Sequence, residues 1–395
     1  MKNSSILCSL SLLISLCTAC KQTPSANSGD SATPQVIKVE NMDYARSDDV
    51  FERIRFLPLE TNDACLIHWV SQIKLNDSLI FINDYWKRIL VFDLSSGKFK
   101  CEIGKRGKGP EEYLEVSDFL INKDTVEILD YRKIECYSLQ GKHLKSKRFP
   151  HLMQEKEHYN PKYFAKTPDN GYYFWERRLG ETAAKNPLPY FMYQVDSGFH
   201  VTRTAFPVIR SAGGNHRMFI NYEDKILVDP LFADPNLYQI DAKGDISIRY
   251  TVDFGDKTPV PEEVKDLDTA DLLDLRERKV LDMDSYVENK NWVHLNVSWK
   301  HFAHSLFYNK HTHKTYLLSA RDASNHDFKT MEIRTSYKEQ MVESYPADWF
   351  LREKERLSAA AHKKYQLDTP ILQAVKEDDN PIIPVSYTHL RAHET

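Results

Sequence analysis

From Val36 to about Phe254 the chain repeats one unit: a strand, a second strand, a glycine turn and a third strand. The repeat is plainest where "LIFINDYWKRILVFDLSSGKFKCEIG" aligns with "VEILDYRKIECYSLQGKHLKSKRF". In each copy an apolar strand ends in an aspartate, Asp84 or Asp130. The next turn carries two cations, Lys87 with Arg88 or Arg132 with Lys133. The turn glycines Gly97, Gly141, Gly198 and Gly244 stand 44, 57 and 46 residues apart. One such unit is too small to bury both its faces, and stacking copies side by side removes that problem. A period of this size built from short strands predicts the blades of a β-propeller. Dividing about 350 residues by units of this size gives six or seven blades. The 21 Tyr, 19 Phe and 6 Trp fit an all-β chain, since aromatic side chains pack well on a pleated surface.

Two later segments break the pattern. Pro261 with two following glutamates opens a helical segment over about 261–284. Pro346 opens another over about 346–366, with Phe350, Leu357, Ala361 and Tyr365 near helical spacing. Both are expected as helical insertions between strands of the later blades, within one propeller domain over 36–384.

Residues 1–20 have the order of an export signal: Lys2, the apolar run "ILCSLSLLISL", then "CTAC". The run is too short to span a bilayer as a helix. It resembles a bacterial lipoprotein signal, which implies a lipid on Cys20, although Cys17 stands where the usual motif has leucine. Ordinary cleavage after Ala19 is the alternative reading. The Ser/Thr/Pro-rich stretch 21–35 then predicts a flexible tether. An anchored protein of the outer membrane or periplasm follows. Cys65, Cys101 and Cys136 are too widely spaced for a zinc pattern and are expected as packed thiols, one disulfide being the alternative.

The stretch "IGKRGKGPEEYLEVSDF", with "INDYWKRILVFDLSSGKF" before it, resembles the six-bladed β-propeller lipoproteins of Gram-negative bacteria, which are related to NHL-repeat propellers. In that family a strand ending in aspartate leads to "I.VFD..GK" and then to "IG..G.GP.EY". The resemblance covers residues 36 to 384 and is strongest in the first two blades; Glu111 stands where the family motif commonly has glycine. It implies six blades and says little about chemistry.

The glycines of "GKRGKGPEEY" invite a phosphate-loop reading, but Gly109-Pro110 follows Lys108 where such a loop needs Ser or Thr and then a helix. A crossover between blades is the structural expectation. Loops concentrate binding residues, so Arg106, Lys108, Glu111, Glu112 and Tyr113 are candidate ligand contacts. His294, His301, His304, His311 and His313 lack a carboxylate at a familiar ligand spacing, and no metal or other cofactor is expected. Glu111-Glu112 and Asp378-Asp379 are adjacent pairs that diverge on strands, and neither a Gly-x-Ser-x-Gly elbow nor a Ser/His/Asp order is present. Propeller active sites assemble at the central channel from several blades, where Lys87, Arg88, Arg132 and Lys133 are candidates; solvated turn charges are the plainer reading.

The formal charge of −4 without a lysine-rich run argues against nucleic acid as partner. Two functions stay open: a non-enzymatic, monomeric binding or scaffold protein for a glycan, peptide or envelope protein, and a propeller lyase or hydrolase acting on extracellular carbohydrate or peptide. The terminal string "VSYTHLRAHET", 385–395, places His389 and His393 at helical zinc spacing. It also matches, codon by codon, a translated transposase adapter from sequencing libraries, and is expected to be non-native and to interrupt the closing strand.

Overall fold

The computed structural model describes residues 34–40, 44–131, 133–149, 161–176, 190–208, 218–300, 302–319, 328–329 and 332–388. Cys20, Arg132, His301, His389 and His393 lie outside them. The chain divides into residues 1–34 and 35–395, and of the first part only Pro34 is described.

The described residues from Gln35 to Thr388 form six sheets, each with four antiparallel strands and one with a fifth, parallel strand. Two strands come before the first complete blade, β1 (Gln35–Lys38) and β2 (Phe51–Pro58). The first blade is β3 (Val70–Leu75), β4 (Leu79–Asp84), β5 (Ile89–Asp93) and β6 (Phe99–Glu102). The second is β7 (Asp118–Asn122), β8 (Thr125–Asp130), β9 (Lys133–Ser138) and β10 (His143–Arg148). The third is β11 (Pro161–Lys166), β12 (Tyr172–Glu176), β13 (Tyr190–Val195) and β14 (Val201–Pro207). The fourth is β15 (Phe219–Tyr222), β16 (Lys225–Val228), β17 (Asn236–Ile240) and β18 (Ile246–Asp253), with β1 added in parallel along β18. The fifth is β19 (Asp282–Glu288), β20 (Trp292–Trp299), β21 (Phe302–Asn309) and β22 (Thr315–Leu318). The sixth takes β23 (Thr335–Tyr337), β24 (Gln340–Val342) and β25 (Ile382–Thr388) from the end of the chain and β2 from its beginning.

The fold is thus a six-bladed β-propeller, closed where N-terminal β2 pairs antiparallel with C-terminal β25, Ile54 opposite Ser386 and Leu57 opposite Ile383. Pairing on both sides makes β25 an interior strand and gives the outer edge of the blade to β2. Contrary to the expectation that the strand breaks at Val385, it runs on to Thr388. Val385 and Ser386 are fully buried between β24 and β2, and Val-Ser-Tyr-Thr suits a pleated strand.

The core lies between blades, as the repeat argument requires. One cluster joins the sixth and first blades through Leu57, Ile80, Leu90 and Ile383, and another joins the first and second through Phe81, Val91, Phe119 and Ile128. Comparable clusters fill the remaining four seams. Middle strands are therefore apolar on both faces, with Ile89, Leu90, Val91 and Phe92 of β5 all fully buried. Outer β10, "HLKSKR", is largely exposed.

Two of the turn glycines show why that residue is needed. Gly97 and Gly141 adopt φ of 71° and 82°. A Cβ on either would sit 2.1 Å from the Pro58 carbonyl oxygen or 2.4 Å from that of Glu102, each at the end of the preceding blade's outer strand.

Of the two expected helical segments, the first is shorter than expected and the second is divided. The first holds a 3-10 turn, Pro261–Val264, and α1 (Thr269–Arg278), N-capped by Asp268, which accepts from the Asp271 amide at 2.9 Å. Residues 282–284, expected as helix, already belong to β19. The second segment is cut at Leu357 into α2 (Ala347–Arg356) and α3 (Ala359–Tyr365), because Ser358 turns extended and caps the new helix. A further turn, α4 (Pro370–Gln373), follows. α1 lies between the fourth and fifth blades; α2 to α4 lie within the sixth, where Phe350, Ala361, Tyr365 and Leu372 pack with Phe56, Trp292 and Phe307.

Candidate functional site

Inner strands stand side by side in the order β7, β11, β15, β19, β23, β3 around the ring. The face at which each inner strand starts and each second strand ends is here the upper face. On it a cavity of about 340 Å³ opens among the inner strands of the first, second, third and sixth blades. Its lining is Trp69, Val70, Ser71, Gln72, Asn83, Lys87, Ser117, Tyr163, Glu332 and Arg334.

Polar groups at its base are organised before any ligand arrives. The Asn83 amide donates to Gln72 Oε1 at 3.2 Å, and Gln72 Nε2 donates to Asp118 Oδ1 at 3.2 Å. Lys74 Nζ donates to the same oxygen at 3.0 Å, and the Phe164 amide donates to Asp118 Oδ2 at 3.2 Å. Asp118, on β7, thereby ties β3 to β11. Two lining atoms are left over: Asn83 Oδ1, in a residue 1% exposed, and Ser117 Oγ have no hydrogen-bond partner among the described residues. Orphaned acceptors and donors of this kind are uncommon in folded proteins and mark places where a ligand or water completes the set. Glu332 is engaged, accepting from Arg334 at 3.0 Å and from Ser285 Oγ at 3.1 Å.

Beside the cavity the first blade exposes aromatic rings. Trp69 is 54% exposed, Tyr85 61% and Trp86 45%. His68 stacks on Trp86 with ring centroids 5.3 Å apart and planes 16° apart, and approaches Tyr85 at 5.5 Å. The turn carrying Tyr85, Trp86 and Lys87 is held by Asp84, whose carboxylate accepts from the Arg88 amide at 3.0 Å and pairs with its guanidinium at 2.6 Å. Arg88 also donates to the Leu66 carbonyl at 2.7 Å, and the Tyr85 amide to that of Trp69 at 2.9 Å, so both aromatic segments are fixed to one another. Exposed apolar surface braced in this way is a feature of interaction sites.

The crossover "IGKRGKGPEEY" links β6 to β7, as its structural reading expects. Gly104 has φ of 64° and lies against the Tyr137 ring. Tyr113 is fully buried, and burial first, then Glu102, holds its hydroxyl pKa well above the ordinary tyrosine value. The Glu112 carboxylate turns inward to accept from the Gly109 amide at 2.7 Å. Arg106 Nε donates to the Leu114 carbonyl at 3.2 Å. Lys108 and Glu111 are exposed. None of these five lines the cavity; the crossover's contribution to it is Ser117. Lys87 does line it, whereas Arg88 pairs with Asp84 and Lys133 with Asp130 at 3.8 Å and with Glu135.

Trp69, Gln72, Asn83, Tyr163 and Arg334 escaped the sequence reading because they come from three blades far apart in the chain. The exposed "YW" pair in a repeat whose counterpart reads "YR" was the available signal. His294 and His304 are buried, while His311 and His313 sit on the hairpin tip after Asn309, bonded to Asn291 at 2.9 Å and to Tyr308 at 2.7 Å. Among the described residues no three His, Cys, Asp or Glu side chains gather as a metal would require. Cys65, Cys101 and Cys136 are free thiols.

No curated protein matches the chain. Among solved structures, a candidate exported protein from Bacteroides fragilis NCTC 9343 superposes with a TM-score of 0.72 at 17% identity, covering 90% of this chain and 100% of that one. That likeness speaks for the fold. The RRP9 WD40 repeats (TM-score 0.43, 11% identity, 88% and 100% coverage) and a candidate gluconolactonase (0.44, 10%, 89% and 99%) are too distant to carry an argument. The family model described as "Domain of unknown function (DUF4934)" matches residues 34–386, from the first strand of the propeller to the strand that closes it, and the chain belongs to that family.

Proposed function

We propose that the chain is an exported, lipid-anchored propeller that captures a saccharide at the upper mouth of its channel without transforming it. The observation that carries this is the pairing of exposed rings, Trp69, Tyr85 and Trp86, with a preorganised polar cavity beside them. A sugar ring has apolar C–H faces and a polar rim. Aromatic faces cover the first, and partly exposed polar and charged groups of the lining such as Ser71 and Arg334 bond the second. Binding without hydrolysis is favoured because glycoside cleavage commonly employs two facing carboxyl groups, and among the described residues the lining contains one, Glu332, already held by Arg334 and Ser285. Export is supported by the signal-like residues 1–20, and the Bacteroides relative is itself described as a candidate exported protein. The lipid on Cys20 rests on the signal motif alone.

The test is an oligosaccharide array probed with the purified protein. Saccharide capture should fall at least about tenfold in Trp69→Ala, the loss of one stacking ring at a ligand site. Capture that is indifferent to Trp69→Ala and Trp86→Ala, or a preference for peptides alone, would overturn the reading.

A further inference from the structure

Lys87 gives the mouth a sharper identity. It occupies the left-handed region at φ of 63°, in a turn where glycine or asparagine is at ease and lysine is strained. The turn is fixed by Asp84, which accepts from the Lys87 amide through its carbonyl at 2.9 Å and holds Arg88 through its carboxylate. Arg88 therefore has its counter-charge and Lys87 has none: among the described residues its ammonium meets no carboxylate. It is nonetheless only partly exposed and lines the cavity. The other charges of the lining, Arg334 and Glu332, pair with each other at 3.0 Å. The lining thus carries one uncompensated positive charge in a protein of net charge −4. A cation withdrawn from bulk water gains most from a partner that brings the missing anion.

We propose that the saccharide taken at this mouth is anionic, its carboxylate or sulfate pairing with Lys87 in the lining of the cavity. This rests on the saccharide reading above.

The test uses three oligosaccharides of one backbone and length: neutral, uronate-bearing and sulfated. Each is titrated into the full chain while tryptophan emission is followed. At least one anionic form should bind about tenfold or more tightly than the neutral one, the size of a charge-assisted hydrogen bond in a partly buried site. The advantage should shrink as salt rises from about 50 to about 300 mM. Lys87→Met should bring the anionic form down to the affinity of the neutral one, and Lys87→Arg should restore part of the difference. Which anionic form wins separates carboxylate from sulfate. Equal binding of all three forms, or an anionic preference that survives Lys87→Met, sinks this inference and leaves the saccharide reading standing. Binding of none of the three, with the array equally blank, removes both.

Discussion

Single atoms decide where this ring tolerates change. Gly141 and Gly255 both have positive φ, 82° and 65°, yet a Cβ on Gly141 meets the Glu102 carbonyl at 2.4 Å and one on Gly255 meets nothing within 4 Å. Gly255→Ala should therefore cost about 1 kcal/mol, the backbone strain alone, and Gly141→Ala about 2–4 kcal/mol in urea unfolding. Equal costs would mean that packing between blades is not what the glycine serves. Ser386 poses the opposite case: it is fully buried between Ile54 and Met341, and its Oγ has no partner among the described residues. Ser386→Val should raise stability by about 1 kcal/mol, and a fall in the unfolding midpoint would show that the hydroxyl is satisfied after all. Glu127 is an acid-sensitive residue, as Glu135 and Glu288 are. Burial pushes its pKa up, but the Tyr172 hydroxyl at 2.6 Å and Lys166 at 2.9 Å, with Lys147 at 3.3 Å, outweigh it and leave the pKa below 4.5. Burial first, and the neighbouring Lys147, lower the pKa of Lys166, as expected when two ammonium groups share one carboxylate. A depressed carboxylate stabilises the fold fully above its unfolded pKa and loses that contribution as pH falls through the folded value. Stability should thus decline below pH 4.5, and Glu127→Gln should lower it by about 3 kcal/mol near neutral pH while flattening that acid limb. An unchanged acid limb in the variant would assign the decline to other carboxylates.

Elements were legible in the sequence to the extent that their signals were local. Strands β4, β5, β6, β8, β9 and β10 and the glycine turns between third and outer strands lie where the repeat put them, since apolar alternation and a turn residue are both written within ten positions. The fifth blade was harder to see because its turn has no glycine. There His313 takes the positive φ, 58°, and the chain is turned by Asn309, whose side-chain oxygen accepts from the His311 and Thr312 amides at 2.9 and 3.0 Å. The same device stands in other blades as Asp93, Asp196 and Asp241, each accepting from backbone amides of its own turn. The common signal was thus the polar side chain that starts the turn, with glycine a frequent companion. Both helical segments were foreseen by their prolines, but Pro261 opens only a 3-10 turn before the helix that Asp268 caps, and the break at Ser358 went unseen because that internal cap is a single residue. Ring closure was legible only in part: a closing strand was expected from the C-terminus, but its pairing with β2 joins residues more than three hundred positions apart, and no local pattern specifies that neighbour.

At the scale of the whole molecule, six inter-blade cores produce a rigid ring whose upper mouth gathers side chains that sequence keeps apart. Trp69 and Lys87 come from the first blade's approach and turn, Ser117 from the next crossover, Tyr163 from the third blade and Arg334 from the sixth. Rigidity matters here because aromatic and polar groups already in position lose little entropy when a ligand arrives. The central claim is that this mouth, and not the basic crossover or the lower face, is where a saccharide is held. Backbone amide hydrogen exchange with and without a bound oligosaccharide tests it most directly. Protection should concentrate in 66–72, 83–88, 117 and 332–334, the segments that line or brace the cavity. Protection confined to 105–113 or to the turns at the opposite face would contradict the account.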